Sequence, residues 1–388
     1  MHAPRRINDR LLSWATILDD QTRSQAETAS AMPFIYPHIA LMTNAHLGKG
    51  ATVGSVLPTL RAVVPAAVGV AIGCGMMAVR TQYAESELTA DRHSLHDAIR
   101  DAVPVDAGKH NQDLTASAAQ RVSVLEALPG AEQADADAPN WRLQLGSLGS
   151  GNHFIEVTVD ETGLVWLFLH SGSRGVGNKL AVGHIAIAAK QCARRWIALP
   201  DRDLAYFVEG EPEFTAYIEA LTWAQRFAAL NREEMMDRVV GCFQAFRGPV
   251  IRTTEINCHH NYTERERHFG TDVWLSRKGA ISARAGEPGL IPGSMGTASY
   301  VVAGKGNPVA LQSSPHGAGR AFSRTAARKR FTRADLDERM AGIEWGRSDR
   351  LLDEHPAAYK DIDQVMADSA DLVEIVHTLH QIVNVKGT

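Results

Sequence analysis

Residues 146–177 read GSLGSGNHFIEVTVDETGLVWLFLHSGSRGVG, and the rest of the chain is organised around them. Two glycine-rich corners bracket two apolar runs, and a histidine sits where each corner meets its run. FIEVTV (154–159) alternates with period two and is rich in β-branched residues. LVWLFLH (164–170) is almost continuously apolar, as a strand covered on both faces would be. Asp160-Glu161-Thr162-Gly163 is turn material. The pattern predicts a β-hairpin. A loop centred on Glu161 and Thr162 would set His153 opposite His170, with Cα atoms about 4.5 to 5.5 Å apart. A loop with a glycine bulge would shift that register by one. Two close imidazoles among glycines that admit ligands to the backbone suggest a metal or phosphate site.

The chain has 388 residues, 45% hydrophobic and 22% charged, which is ordinary for a soluble globular protein with a sizeable core. A net charge of −4 excludes a polybasic protein, although a basic patch on an acidic body still permits nucleic-acid binding. None of the cysteines, Cys74, Cys192, Cys242 and Cys258, stands in CxxC spacing. Free thiols in a reducing cytoplasm are expected. Neither a signal-peptide core nor a long apolar run occurs, so a cytoplasmic protein with no membrane partner is expected.

Working outward, residues 11–32 are predicted helical up to Pro33. Residues 33–59 predict strand and loop, with His38, His46 and the corner Gly48-Lys49-Gly50, whose lysine could face a phosphate or solvent equally well. Residues 62–77 are small and apolar and contain Cys74 between two glycines. Alone, such a thiol is better read as structural. Residues 88–103 predict an amphipathic helix, and 106–140 a helix near 115–128 plus a mobile acidic loop. Residues 178–196 predict a helix whose N-terminus, beside Ser171, Ser173 and Arg174, would suit an anion. Residues 214–242 predict one long helix or a broken pair. Residues 251–262 and 273–285 predict strands, the former carrying EINCHHNY. SSPHGAGR (313–320) is predicted to open a helical stretch, 320–339, with an arginine-rich face. Near the C-terminus, DLVEIVHTLHQIV looks helical. No repeat or linker is evident, so one domain is expected.

A histidine at a glycine-rich corner recurs at His46, His153, His170, His260 and His316. A lone histidine is usually a satisfied core or surface residue. Several in this context, with a free cysteine, favour a metal site assembled from distant segments. Thiolate plus imidazole ligands alone would suggest zinc. Glycine corners and Ser/Arg pairs add a phosphate pocket, and metal with phosphate points to phosphoryl or nucleotidyl transfer. No GxxxxGK[ST] motif occurs, which excludes a P-loop enzyme.

HLGKG, GVxIGCGM, GSGNHFIE, HSGSRG, NCHHNY, KGA…SARAG, PGSMGTASY, HGAGR, AYKDID and a terminal VKG follow in order from 33 to 387. Together they resemble the RtcB family of RNA ligases. The resemblance implies an α+β fold, with central packed β-sheets surrounded by helices, as one RtcB-like domain over 1–388. It implies a GTP- and Mn(II)-dependent RNA ligase. Ends bearing 2′,3′-cyclic phosphate or 3′-phosphate would be joined to 5′-hydroxyl ends, in tRNA splicing or RNA repair, by a monomer. It makes His316 the nucleophile that carries GMP. Cys74, His153, His170 and His260 become metal ligands, and manganese replaces the zinc suggested by ligand softness. Guanylate contacts fall on Asn152, His153, Phe154, Ile155, Glu156, His260, Asn261, Pro292, Gly293, Ser294, Met295, Ser299, Gly317, Ala318, Gly319, Tyr359 and Lys386.

Two positions depart from the family pattern. Ala71 stands where the family's DIGCGM carries a ligand aspartate, and Thr43-Asn44-Ala45-His46 replaces its PDVH. Both changes make the site less anionic and weaken the case for a metal pair. The second metal could then bind weakly, or only with GTP. The alternatives are an impaired paralogue that binds RNA or nucleotide without ligating, and a metal-dependent phosphodiesterase acting on RNA cyclic phosphates. The intact His316, His153, His170, His260 and Lys386 favour retained nucleotidyl chemistry.

Overall fold

The structure, a computed structural model, describes residues 3–88 and 91–387. It is α+β, and the expected hairpin, Phe154–Asp160 with Leu164–Ser171, lies inside the larger of the two main sheets. That sheet runs Thr254–His259, Gly75–Ala84, Leu164–Ser171, Phe154–Asp160, Val373–Lys386, Ser299–Gly304, Pro288–Ile291, with Glu344–Trp345 added parallel to Val373–Lys386. The smaller sheet runs Arg5–Asn8, Leu11–Ser13, Ile39–His46, Val53–Thr59, Thr271–Lys278, Asn261–His268.

The alternation of the hairpin explains its placement. Phe154, Trp166 and Phe168 face a core shared with Met42, Val56 and Leu275 of the smaller sheet. Ile155, Val157, Leu167 and Leu169 face Met235, Met236, Val239 and Phe243 of the helix Pro212–Arg247. Each fully buried side chain of this size contributes about 1.5–3 kcal/mol. A one-residue slip would exchange the two faces, so the register is strongly specified.

That register differs from the simplest expectation. His170 pairs with Phe154, not His153, and Val165 pairs with Val159. Gly163, at φ +82°, closes a bulged loop with its N–H on Asp160 O at 2.9 Å. Asp160 Oδ1 accepts from Thr162 N, Thr162 Oγ1 and Leu164 N, which fixes the longer loop. His153 therefore stands one residue before its strand.

Other expectations are corrected as well. Within 11–32 only Asp20–Ser30 is helical, capped by Asp19, and Leu11–Ser13 is a strand parallel to Ile39–His46. The acidic stretch after residue 128 is no mobile loop. Its helix Ala131–Asp137 leads to Trp141, which meets Trp223 edge-on at 5.0 Å, and Ala134 and Ala138 are fully buried. Small side chains there allow close packing that composition alone hides. The helix expected over 88–103 is Arg92–Ala102, and residues 89 and 90 lie outside the described residues. The helix after the hairpin is Arg174–Arg194, and Pro212–Arg247 is one unbroken helix. Residues 320–339 form two short helices, Arg324–Arg330 and Arg333–Arg339. The C-terminal stretch is a long strand, Val373–Lys386, paired on both sides. Its β-branched content outweighs a helix-compatible apolar spacing. Among the described residues no helix is long and apolar enough to cross a membrane.

Candidate active site

Strand register brings the expected residues to one end of the large sheet. Cys258 pairs with Met76, Met76 with His170, His170 with Phe154, and Phe154 with Lys386. Cys74 and His153 immediately precede two of these strands. His260 occupies the one-residue step between Thr254–His259 and Asn261–His268, where the chain passes from one sheet to the other. His316 follows Ser313–Pro315, a short strand paired with Ala280–Ser282. Gly75 is required where strands converge, because a Cβ there would lie 2.1 Å from Cys258 O. A cavity of about 340 Å³ opens at this end.

One wall is a thiol–imidazole cluster. Cys74 Sγ lies 3.4 Å from His153 Nε2 and 3.3 Å from His170 Nε2, and His170 Nε2 lies 2.9 Å from His260 Nε2. Carbonyls take the opposite ring nitrogens: His153 Nδ1 donates to Leu148 O at 2.8 Å and His170 Nδ1 to Asn152 O at 3.1 Å. Each of those rings therefore turns an unprotonated Nε2 toward the sulfur. Burial, reinforced by Arg174, lowers His153 to about 3. Burial and neighbouring histidines hold His170 and His260 well below their usual range. Burial pushes the Cys74 thiol up to about 12.

Lone pairs converging on a buried thiol have no internal partner of opposite charge, so the donor set fits a cation. Cys74, His170 and His260 offer atoms all within 4.8 Å of one another, enough for one ion. A bound ion would displace the thiol proton. Ala71 lines the cavity with a methyl group, and only its carbonyl engages, accepting from Asn261 Nδ2 at 3.2 Å.

His316 stands beside this wall, its ring centroid 4.2 Å from that of His260. Its Nδ1 lies 2.7 Å from Gly279 O, an acceptor only, which places the proton on Nδ1 and leaves Nε2 as a nucleophile. Burial lowers its pKa to about 4, so the ring is neutral at pH 7. Asn44 Nδ2 is also 2.7 Å from Nδ1 and 3.0 Å from Gly279 O, while Asn44 Oδ1 is buried without a partner. An amide nitrogen cannot accept from Nδ1–H, so Asn44 orients the ring less decisively than a carboxylate would.

The opposite wall is saturated with ion pairs. Lys386 Nζ meets Glu354 Oε2 at 3.0 Å, Tyr359 Oη donates to the same oxygen at 2.6 Å, and Arg320 donates to Tyr359 Oη at 3.1 Å. Arg324 spans Asp353 and Glu354. Against the effect of burial, Lys386 and Arg324 hold the Glu354 carboxyl at about 2. Glu156 is the reverse case: burial outweighs Lys386 and pushes it up to about 8, with Oε2 unpartnered. Gln381 pins the 292–297 loop, donating to Ser294 O at 2.9 Å and accepting from Gly296 N at 3.0 Å.

Most of the expected guanylate contacts line this cavity: Asn152, Phe154, Glu156, His260, Asn261, Pro292, Gly293, Ser294, Met295, Ser299, Gly317, Ala318, Gly319, Tyr359 and Lys386. His153 reaches the cluster through Cys74, behind the cavity surface. Ile155 does not reach it, because the alternation sends its side chain to the opposite core. Ser171 and Ser173, expected to meet phosphate, donate to Leu148 O and Ile72 O, and Arg174 donates to Ser147 Oγ. Glu354, Lys278 and Gln381 line the cavity without having been singled out. Glu354 and Gln381 are isolated polar residues in segments with no glycine corner, so nothing local marks them, whereas Lys278 stands in the quoted KGA block beside Gly279 and was legible there.

A buried thiol–imidazole cluster that could hold a metal ion shares one cavity with Lys386, Arg320 and Arg324. Comparison with known proteins narrows the class. The family described as tRNA-splicing ligase RtcB matches residues 25–387, and the chain belongs to this family. It is 45% identical to the RNA-splicing ligase RtcB of Escherichia coli K12, over 95% of each chain. It is 30% identical to the tRNA-splicing ligase RtcB of Pyrobaculum aerophilum, over 89% of this chain and 87% of the relative. The same identity holds for the tRNA-splicing ligase RtcB of Thermococcus kodakarensis, over 97% and 91%.

Proposed function

We propose that this protein is a GTP- and Mn(II)-dependent RNA ligase, sealing 2′,3′-cyclic phosphate or 3′-phosphate ends to 5′-hydroxyl ends through GMP carried on His316. The observation that carries this reading is His316, neutral at pH 7, with Nδ1 tied to Gly279 O in a cavity shared by thiol–imidazole donors and buried cations. His316 Nε2 attacks the α-phosphorus of GTP, the N–P bond forms, and pyrophosphate leaves. The RNA 3′-phosphate then takes GMP from His316, and the 5′-hydroxyl displaces GMP as the ends join. Cys74, His170 and His260 would hold the cation, with His153 Nε2 3.4 Å from the sulfur as a further donor. A divalent ion there supplies charge neutralisation to the phosphates. Tyr359 flanks the base, Lys386 contacts the guanylate, and Glu156, its pKa raised by burial, offers a hydrogen bond.

Ala71 supports a second reading, in which the protein binds RNA or nucleotide without joining ends. The joining assay separates the two. RNA halves ending in 3′-phosphate and 5′-hydroxyl are incubated with GTP and Mn(II). Joined product, absent with His316→Ala, is expected. Halves left unjoined at high Mn(II), with binding intact, would favour the second reading.

A further inference from the structure

Trp196 stands just past the helix Arg174–Arg194 and is 94% exposed, far more than any other large apolar residue described. Its N–H bonds to Ala193 O at 3.1 Å, and the next N–H, of Ile197, bonds to Cys192 O at 3.0 Å. This is the left-handed stop that ends many helices, and Trp196 takes its left-handed position at φ +57°. Glycine suits that position, and a β-substituted residue is strained there. The strain brings no packing in return, because the indole has no ring contact among the described residues. A strained, solvent-facing tryptophan is a liability for folding and an asset for recognition.

Its surroundings indicate the partner. Lys190 and Arg194, on the last turns of the same helix, are exposed and have no ion-pair partner among the described residues. The same holds for Arg202 in the following segment. Arg195 alone is neutralised, by Glu211 at 2.7 Å. The helix itself leads to the cavity, since Ile185 lines it, and the eleven residues from there to Trp196 span roughly 16 Å. Arg202–Leu204 returns to the same mouth, with Asp203 O beside Gly50, next to the cavity-lining Lys49. Free cations and one bare aromatic face, continuous with a phosphate pocket, match a single-stranded polyanion carrying unpaired bases.

We propose that Trp196 is a stacking platform for an unpaired base of the RNA strand whose end lies in the cavity, with Lys190 and Arg194 on the adjoining phosphates. This rests on the ligase reading for the identity of the strand. Stacking on an aromatic face tolerates any base, so the platform would add affinity and placement without sequence preference.

The test is Trp196→Gly in the full chain, probed with short single-stranded RNA ending in 3′-phosphate. Because glycine suits φ +57°, the thermal midpoint should stay level or rise, which separates this variant from a folding defect. RNA affinity, read by anisotropy of a labelled strand, should fall roughly tenfold. Unlabelled RNA should quench tryptophan fluorescence in the wild type and much less in the variant. GTP labelling of His316 should not change, because a mononucleotide does not reach the platform. Arg194→Gln should flatten the salt dependence of RNA binding. Equal RNA affinity in wild type and Trp196→Gly, or no RNA affinity in either, would overturn the proposal. So would a dimer in sedimentation that Trp196→Gly dissociates, which would assign the face to a second copy. If the wild type takes no GTP label, the ligase reading fails, and the RNA affinities still decide the platform.

Discussion

The two walls of the cavity are built on opposite principles. On the Glu354 wall nearly every charge has a partner: Lys386, Arg320, Arg324, Tyr359 and Asp353 close a network around one buried carboxylate. On the Cys74 wall no carboxylate balances the site: His153 and His170 turn lone pairs toward the sulfur, His260 Nε2 hydrogen-bonds His170 Nε2 at 2.9 Å, and His260 Nδ1 has no partner. The first wall is satisfied by the protein's own charges. The second lacks its counter-charge, and Ala71 makes it poorer still in anionic donors. Under the proposed ligase reading, the first wall would position the nucleotide and the second would bind the cation.

Each wall can be broken separately. Cys74→Ala removes the donor common to both sides of the cluster. Loss of bound metal should exceed the roughly 10- to 100-fold weakening caused by losing an outer-shell partner, as read by metal titration. Retention of metal at wild-type affinity would move the cation elsewhere. Glu354→Gln leaves Lys386 buried without its counter-charge and should destabilise the fold at pH 7 by on the order of 3 kcal/mol, in denaturant unfolding. The sign follows from the carboxyl held at about 2 in the fold against an ordinary 4.5. Its stabilisation is full above 4.5 and is lost as pH falls through 2. The gap between wild type and Glu354→Gln should therefore shrink over that window; a gap independent of pH would contradict the assignment. Ala71→Asp should have the smallest effect, raising Mn(II) from about one ion per chain to about two, because a carboxylate suits a hard cation better than imidazole does. An unchanged ion count would show that the methyl group at Ala71 limits nothing.

The Cys74 wall was largely legible in the sequence and the Glu354 wall largely was not. Histidines at glycine corners advertise themselves, because a close approach of ligand to backbone demands glycine nearby. Periodicity gave the hairpin but erred by one residue in register, since the deciding hydrogen bonds of Asp160 lie within the loop. The cluster survives the slip because His153 sits outside its strand, where a corner can turn it toward Cys74. Ion pairs such as Lys386–Glu354 join segments through tertiary contact alone, and no spacing along the chain announces them. Val373–Lys386 did carry a local sign in its β-branched residues, but its helix-compatible apolar spacing masked the strand that pairing with two neighbours completes.

The most direct test is to locate GMP on the chain. Protein incubated with GTP and Mn(II) is digested, and the peptide carrying the label is sequenced by mass spectrometry. One GMP per chain on His316, lost in His316→Ala, is the predicted result. No covalent GMP at any Mn(II) concentration, or GMP on another residue, would contradict the account.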